Sequence, residues 1–438
     1  MDLKRNAAGR TPAASTTDAD ASKSKSHHTT KFSELNLDLL LSRVSLTALA
    51  ESAGAKFGRS GQEQRSTCPL HKGDNPTAFS VYTGQDGHER WRCYTRCDTG
   101  GDAIDFVRRW RGLDFIAAVR YLAEFANLSL DALGFNPQSI QAETERRKRS
   151  DLFNEAAGYF ASRLWEQSGK GAQDYLRKRG FSEQTLREAG WGLSRSDVGL
   201  FQHLQKAGAD LALARETGLI RADGLDFTAN GNGKNASPDG YIVFRHIWNG
   251  RCHYFSARAL NPVDPDDKSR NLPGERQVYW ALVPGDPNLV IVEGQADAES
   301  LRQIGRSALA LCGVGSLPQH EIEHIRKRRV VYLMLDNDLL KAGISSLELD
   351  KVQKRQAETT GRLCESLGPL TMVVTDLPFK DCNEWLQNGM SAQEVDRHLA
   401  AAEPWLDLLI EQSRSAPPVE LDGLLQGIAG HLSELPDT

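Results

Sequence analysis

No stretch of this 438-residue chain approaches the ~18 consecutive apolar residues that a membrane-spanning helix needs. The first residues, Met1-Asp2-Leu3-Lys4-Arg5-Asn6, lead into Ala, Ser, Thr and Asp and not into an apolar leader, so a cytoplasmic protein without a membrane partner is expected. No Gly-x4-Gly-Lys-Ser/Thr occurs, which excludes the usual ATPase phosphate loop. Excess positive charge is also lacking. Lys and Arg number 53 against 58 Asp and Glu, a net charge of −5, so any grip on nucleic acid must come from local basic tracks. Cysteine is scarce, seven in all. Cys252, Cys312, Cys364 and Cys382 are scattered in apolar or helical surroundings and read as ordinary reduced thiols.

The remaining cysteines are grouped. Cys68-Pro69-Leu70-His71 is followed by Cys93-Tyr94-Thr95-Arg96-Cys97. Four N/S ligands in two close pairs, joined by strand-like Thr77-Ala78-Phe79-Ser80-Val81 and Glu89-Arg90-Trp91-Arg92, suit tetrahedral Zn²⁺. Two unrelated pairs are the alternative. Arg90, Arg92, Arg96, Arg108, Arg109 and Arg111 lie around Trp91, Tyr94 and Trp110, a mixture suited to stacking on single-stranded bases. Residues 1–31, rich in Ala, Ser, Thr and Lys, hold little that could fill a core and are expected to be disordered. Residues 138–150 are polar and end in Arg146-Arg147-Lys148-Arg149, which reads as a linker or a solvated helix. Helical patterns follow, with Phe153, Ala157, Phe160 and Leu164, then Tyr175-Leu176-Arg177-Lys178-Arg179-Gly180. Residues 223–238 read as a loop, and 241–260 as a β-hairpin turning on Asn249-Gly250.

Two later runs, Leu289-Val290-Ile291-Val292 and Val330-Val331-Tyr332-Leu333-Met334-Leu335, read as buried strands. Buried strands alternating with helices make a parallel sheet, whose ligands sit beyond the carboxyl ends of the strands. Glu293-Gly294 and Asp336-Asn337-Asp338 stand there. Crowded carboxylates repel one another unless a cation compensates, and Mg²⁺ takes a few carboxylate oxygens plus waters and phosphates. Taken singly, Glu293 also reads as a helix-entry residue and 336–338 as a polar turn. Asp381 and Glu384 fit a helix capping box as well as a metal role.

Glu293-Gly294 and Asp336-Asn337-Asp338 resemble the Toprim signature shared by DnaG-type primases, topoisomerases and some nucleases. Cys68-Pro69-Leu70-His71, Asn75-Pro76-Thr77-Ala78-Phe79-Ser80-Val81 and Cys93…Cys97 before Gly100-Gly101-Asp102 resemble the zinc-binding domain of DnaG-type primases. Cys-x3-Cys departs from the commoner Cys-x2-Cys. The two residues beyond Leu339 also depart, since Ala342-Gly343 comes later than in the family. The resemblance implies a multidomain α/β protein: a zinc ribbon, then a mixed α+β primase core containing a parallel-sheet Toprim domain. The expected divisions are a tail at 1–31, the zinc domain at 32–135 and a linker at 136–150. The core would begin at 151–287, with Toprim at 288–390 and a short helical segment at 391–438. Structural Zn²⁺ would be held by Cys68, His71, Cys93 and Cys97. Catalytic Mg²⁺ or Mn²⁺ would be held by Glu293, Asp336 and Asp338, with Asp297 and Asp381 in support. Arg245, Arg258 and Lys380 are the candidates for phosphate or template contact; exposed strand arginines are the plainer reading of the first two. The implied activity is RNA primer synthesis on a single-stranded DNA template from nucleoside triphosphates, with a replicative helicase as a further partner. The short C-terminal segment resembles trimmed phage or mobile-element versions, and a non-catalytic DNA-binding replication accessory is the alternative.

Overall fold

The computed structural model describes residues 36–60, 63–229, 237–248, 250–264, 268–340, 346–415 and 418–433. The expected N-terminal tail, Asn249, Ala342-Gly343 and residues 230–236 of the expected loop lie outside these.

Three sheets organise the chain. The first is an antiparallel meander of β1 (Gly58–Ser60), β2 (Glu63–Ser66), β3 (Phe79–Thr83), β4 (Glu89–Cys93) and β5 (Thr99–Gly101). Phe79 pairs with Cys93 and Val81 with Trp91, which puts the apolar side chains of both strands on one face. The Phe79 and Trp91 rings stack at 5.6 Å, and Phe106 meets Trp91 edge-on at 5.9 Å. Two short helices precede this sheet, Leu37–Arg43 and Leu46–Ser52, capped by Asn36 and Ser45. Gly100 allows β5 to approach β4, since a Cβ there would stand 2.4 Å from the Trp91 carbonyl oxygen.

The stretch 136–150, expected as a linker or a solvated helix, is helical from Pro137 and forms the first half of one 29-residue helix, Pro137–Trp165, with Glu143, Arg147 and Ser150 buried and not solvated. No Pro or Gly interrupts residues 138–157, and Arg147 pairs with Glu143 one turn earlier, so nothing stops the helix. Its second half buries Phe153, Ala157, Phe160 and Leu164 as the spacing predicts.

The second sheet is antiparallel and runs β6 (Gly192–Ser194), β7 (Tyr241–Trp248), β8 (Arg251–Ala259) and β9 (Ser269–Asn271) in that order. β7 and β8 form the expected hairpin, with an irregularity between His246 and Ile247. The third sheet contains β10 (Tyr279–Ala281), β11 (Leu289–Val292), β12 (Ala308–Ala310), β13 (Val331–Leu333), β14 (Met372–Val373) and β15 (Glu403–Pro404). Their order is β10-β12-β11-β13-β14-β15; the central four are parallel and the two edges antiparallel. All four residues of β11 are buried, as befits a strand covered on both faces. The C-terminal segment is not separate from this domain. β15 closes its edge, while Val395, Leu399, Trp405 and Leu409 enter its core clusters. Among the described residues no helix is long and apolar enough to cross a membrane.

Candidate metal centres

Strand order decides where the acidic residues meet. β12 lies on one side of β11 and β13 on the other, so the chain turns opposite ways at the carboxyl end of β11 and leaves a crevice there. Glu293 follows β11 directly. Met334 N–H donates to the Ile291 carbonyl at 2.9 Å, extending the pairing, and Asp336 N–H donates to Glu293 Oε1 at 3.3 Å. Asp338 opens the short turn Asp338–Leu340. Asp297 is buried in the first turn of the helix Gln295–Gln303, where its Oδ1 accepts the Asn383 N–H at 2.9 Å. A Cβ on Gly294 would stand 2.8 Å from Asp297 Oδ2, so glycine leaves room for that carboxylate. Asp381 does two jobs. Its Oδ1 caps the helix Cys382–Gln387 by accepting Glu384 N–H at 2.7 Å, and its Oδ2 lies 3.6 Å from Lys380 Nζ. The same ammonium lies 3.6 Å from Asp336 Oδ2.

Titration follows from this crowding. Burial, then the charges of Asp297 and Glu293, push Asp336 up to about 8, against the pull of Lys380. Burial and the neighbouring Asp381 push Asp297 up to about 7. Glu293 is open to solvent on one side, yet the protein around it and the Asp338 charge raise its carboxyl too. Hard oxygen donors that resist joint ionisation are a donor set suited to a divalent cation. They stand openly. Among the described residues, only the cysteine-histidine quartet gathers three or more ligand atoms within 4.8 Å of one another. Open carboxylates leave coordination positions for water and phosphate.

That quartet is Cys68, His71, Cys93 and Cys97. Cys68 Sγ and Cys97 Sγ are 3.8 Å apart, and His71 Nδ1 lies 3.1 Å from Cys97 Sγ and 3.7 Å from Cys93 Sγ. Zn–S bonds of about 2.3 Å imply a tetrahedral edge of about 3.8 Å, so the donors fit Zn²⁺. The longer Cys-x3-Cys knuckle is absorbed in the turn between β4 and β5, where Asp98 adopts φ 39°. Cys97 therefore reaches the other three.

Arg245 and Arg258 differ in their surroundings. Arg245 turns inward, its Nε donating to the Ala189 carbonyl at 2.9 Å and its Nη2 to the Glu188 carbonyl at 3.3 Å. It satisfies the carboxyl end of the helix Glu183–Ala189, which needs such donors. Arg258 is exposed on β8. Sequence reasoning missed Arg179 and Asn383. Arg179 Nε donates to Asn383 Oδ1 at 2.5 Å, and Asn383 Nδ2 donates to the Arg179 carbonyl at 3.1 Å and to Ser300 Oγ at 3.0 Å. The helical block thereby holds the residue that holds Asp297. The Tyr175…Arg179-Gly180 pattern was the available signal. Gln356, whose side chain donates to the Asp336 carbonyl, comes from a helix charged on most sides and left no signal.

A family model described as the CHC2 zinc finger, of the DnaG zinc-ribbon kind, matches residues 32–136. The chain is 27% identical over 337 residues to a DNA primase of Myxococcus xanthus, covering 72% of this chain and 51% of that protein. It is 26% identical over 300 residues to a DNA primase of Mycolicibacterium smegmatis, covering 64% and 44%. The chain thus spans about half the length of the curated relatives it matches. The zinc-binding and RNA polymerase domains of Aquifex aeolicus primase superpose with a TM-score of 0.58 at 20% identity, covering 91% of this chain and 93% of that one. The chain is thus similar in sequence to DNA primases, matches their zinc-ribbon model over residues 32–136, and shares the fold of the zinc-binding and RNA polymerase domains of the Aquifex aeolicus protein.

Proposed function

We propose that the chain synthesises short RNA primers on single-stranded DNA by nucleotidyl transfer. The observation that carries this reading is the meeting of Glu293 and Asp336 at the tips of neighbouring parallel strands, with Asp338 beside them. Glu293, Asp336 and Asp338 would hold Mg²⁺ or Mn²⁺, with Asp297 and Asp381 in support. Such ions, when bound, activate an attacking oxygen and stabilise a leaving one. The reaction joins a primer 3′-hydroxyl to the α-phosphate of a nucleoside triphosphate and releases pyrophosphate. Lys380 neutralises Asp336 and Asp381 across 3.6 Å, and swinging to a phosphate costs it little because the ammonium is half-exposed. Asn383 and Arg179 keep Asp297 in place. The zinc ribbon would engage the template, with Arg258 contacting its backbone, while Arg245 serves the fold. A replicative helicase remains the proposed partner, and the cytoplasm the proposed location.

The test is template-dependent primer synthesis by wild type and Asp336→Ala. Product from wild type alone supports the reading, and equal product from both removes the carboxylates from the mechanism. DNA binding without product from either favours the accessory reading. One feature speaks for that alternative: three residues, Leu339-Leu340-Lys341, separate Asp338 from Ala342-Gly343 where the family has one, and Leu339 and Leu340 are 37% and 53% exposed.

A further inference from the structure

We propose that Arg147 and Arg251 are positioning residues that clamp the zinc ribbon onto the core, so that each ribbon serves only the metal centre of its own chain. The clamp stands on geometry alone; its consequence for priming rests on the proposed function.

The ribbon's helix Ala103–Arg111 begins with a capping box in which Asp102 and Asp105 satisfy each other's backbone N–H groups. Both residues are buried, at 4% and 6% exposure. Their outward oxygens face four guanidiniums, one of them Arg108 of the same helix, 3.6 Å from Asp105 Oδ1. Arg147, on the helix Pro137–Trp165, reaches Asp102 Oδ2 and Asp105 Oδ1 at 3.1 Å each, and its Nε lies 2.6 Å from Glu143 Oε1. Arg251, at the start of β8, donates to Asp105 Oδ1. Arg90, from β4 of the ribbon itself, stands 3.6 Å from Asp102 Oδ2. Asp151 bridges Arg108 of the ribbon at 3.5 Å and Arg251 of the core at 3.7 Å. Burial pushes the Asp102 carboxyl up, but Arg147, Arg251 and Arg90 outweigh it and hold it far below the carboxylate range.

The backbone is drawn in as well. A Cβ on Gly250, at the hairpin tip, would stand 3.7 Å from the Cα of Gly101 on β5. Ser150 Oγ donates to the Cys252 carbonyl at 3.2 Å, and Cys252 N–H donates to Asn154 Oδ1 at 2.9 Å. The helix is thus bonded to the ribbon through one turn and to the hairpin through the next. Fork-shaped donors satisfy two fixed carboxylates only in one relative placement, which is how a buried ion network selects geometry.

The full chain gives the test. Arg146, Lys148 and Arg149 are exposed trypsin sites on a helix that must open before it can be cut. Arg147→Gln and Arg251→Gln should each speed cutting there by about tenfold or more while retaining zinc. Zinc content is measured alongside. Zinc-deficient Cys97→Ser mixed with metal-centre-deficient Asp336→Ala should yield only background primer. Placing Arg147→Gln in both chains should raise that yield. Unchanged cutting in both variants overturns the clamp, as does recovery of product with Arg147 intact. Loss of zinc from both variants also overturns it, because the arginines would then support the ribbon's own fold. Absence of primer from wild type defeats the primase reading, and the trypsin result still judges the clamp.

Discussion

Without an added divalent cation, the carboxylates at the strand tips should make this protein less stable as pH rises. Asp336 titrates at about 8 in the folded chain and Asp297 at about 7, both lifted chiefly by burial and then by neighbouring carboxylates. In the unfolded chain such groups titrate near about 3.9. Between about pH 4 and pH 8 the native chain therefore binds more protons than the unfolded one, and stability falls through that window. One pKa unit is worth about 1.4 kcal/mol. The Asp336 side chain is 20% exposed and faces Lys380, and repulsion between Asp297 and Asp336 must be counted once for the pair. The combined penalty at pH 8 is then on the order of 4 kcal/mol. About half of that loss falls above pH 5.5, so at about 2 °C per kcal/mol for a domain of this size, Tm should drop by about 4 °C between pH 5.5 and pH 8. Thermal melting of the zinc-loaded chain without added Mg²⁺ measures this. Saturating Mg²⁺ should flatten the profile, and Asp336→Asn should recover most of the loss without it. A Tm that is flat or rising with pH in the absence of Mg²⁺ refutes the idea that these groups crowd a cation site.

Cys97→Ser should cut bound zinc from one per chain to well below that, measured by metal analysis, because three ligands hold the ion far less tightly than four. Arg258→Ala should weaken single-stranded DNA binding on every sequence and lower the salt slope by about one, with Tm unchanged because the side chain is exposed. An unaltered slope would remove it from the template path. Asn383→Ala should lower Tm by removing the partner of Arg179 Nε and of the Arg179 carbonyl, a loss of about 2 kcal/mol, while Ser300 Oγ keeps the Ala296 carbonyl and Arg179 Nη1 keeps the Tyr175 hydroxyl. An unchanged Tm would show that Asn383 does not hold the block.

Much of the catalytic region is legible in sequence because short-range chemistry dictates it. Leu289-Val290-Ile291-Val292 is too apolar to be anything but buried, and a buried strand among helices points its carboxyl end, and Glu293, at a crevice. The zinc quartet is legible because ligand spacing is itself the constraint. β15 is different: two residues, Glu403 and Pro404, carry no strand propensity and pair only because Met372 and Val373 offer an open edge. Arg245 is also set from afar, by carbonyls 56 and 57 residues earlier.

The helix through residues 138–150 shows where a reading based on apolarity stops too soon. Phe153, Ala157, Phe160 and Leu164 recur at helical spacing, and a search for apolar residues begins the helix there. The buried stripe in fact continues backwards through Ser150, Arg147 and Glu143, at the same intervals of three and four. Arg146, next to Arg147, is exposed, so the division follows helical phase and not residue type. Charge in that stripe looked solvated because its partners, Asp102 and Asp105, lie 45 and 42 residues away. A charged residue in phase with an apolar stripe is therefore a sign of a distant counter-charge, since burial without one is too costly to persist.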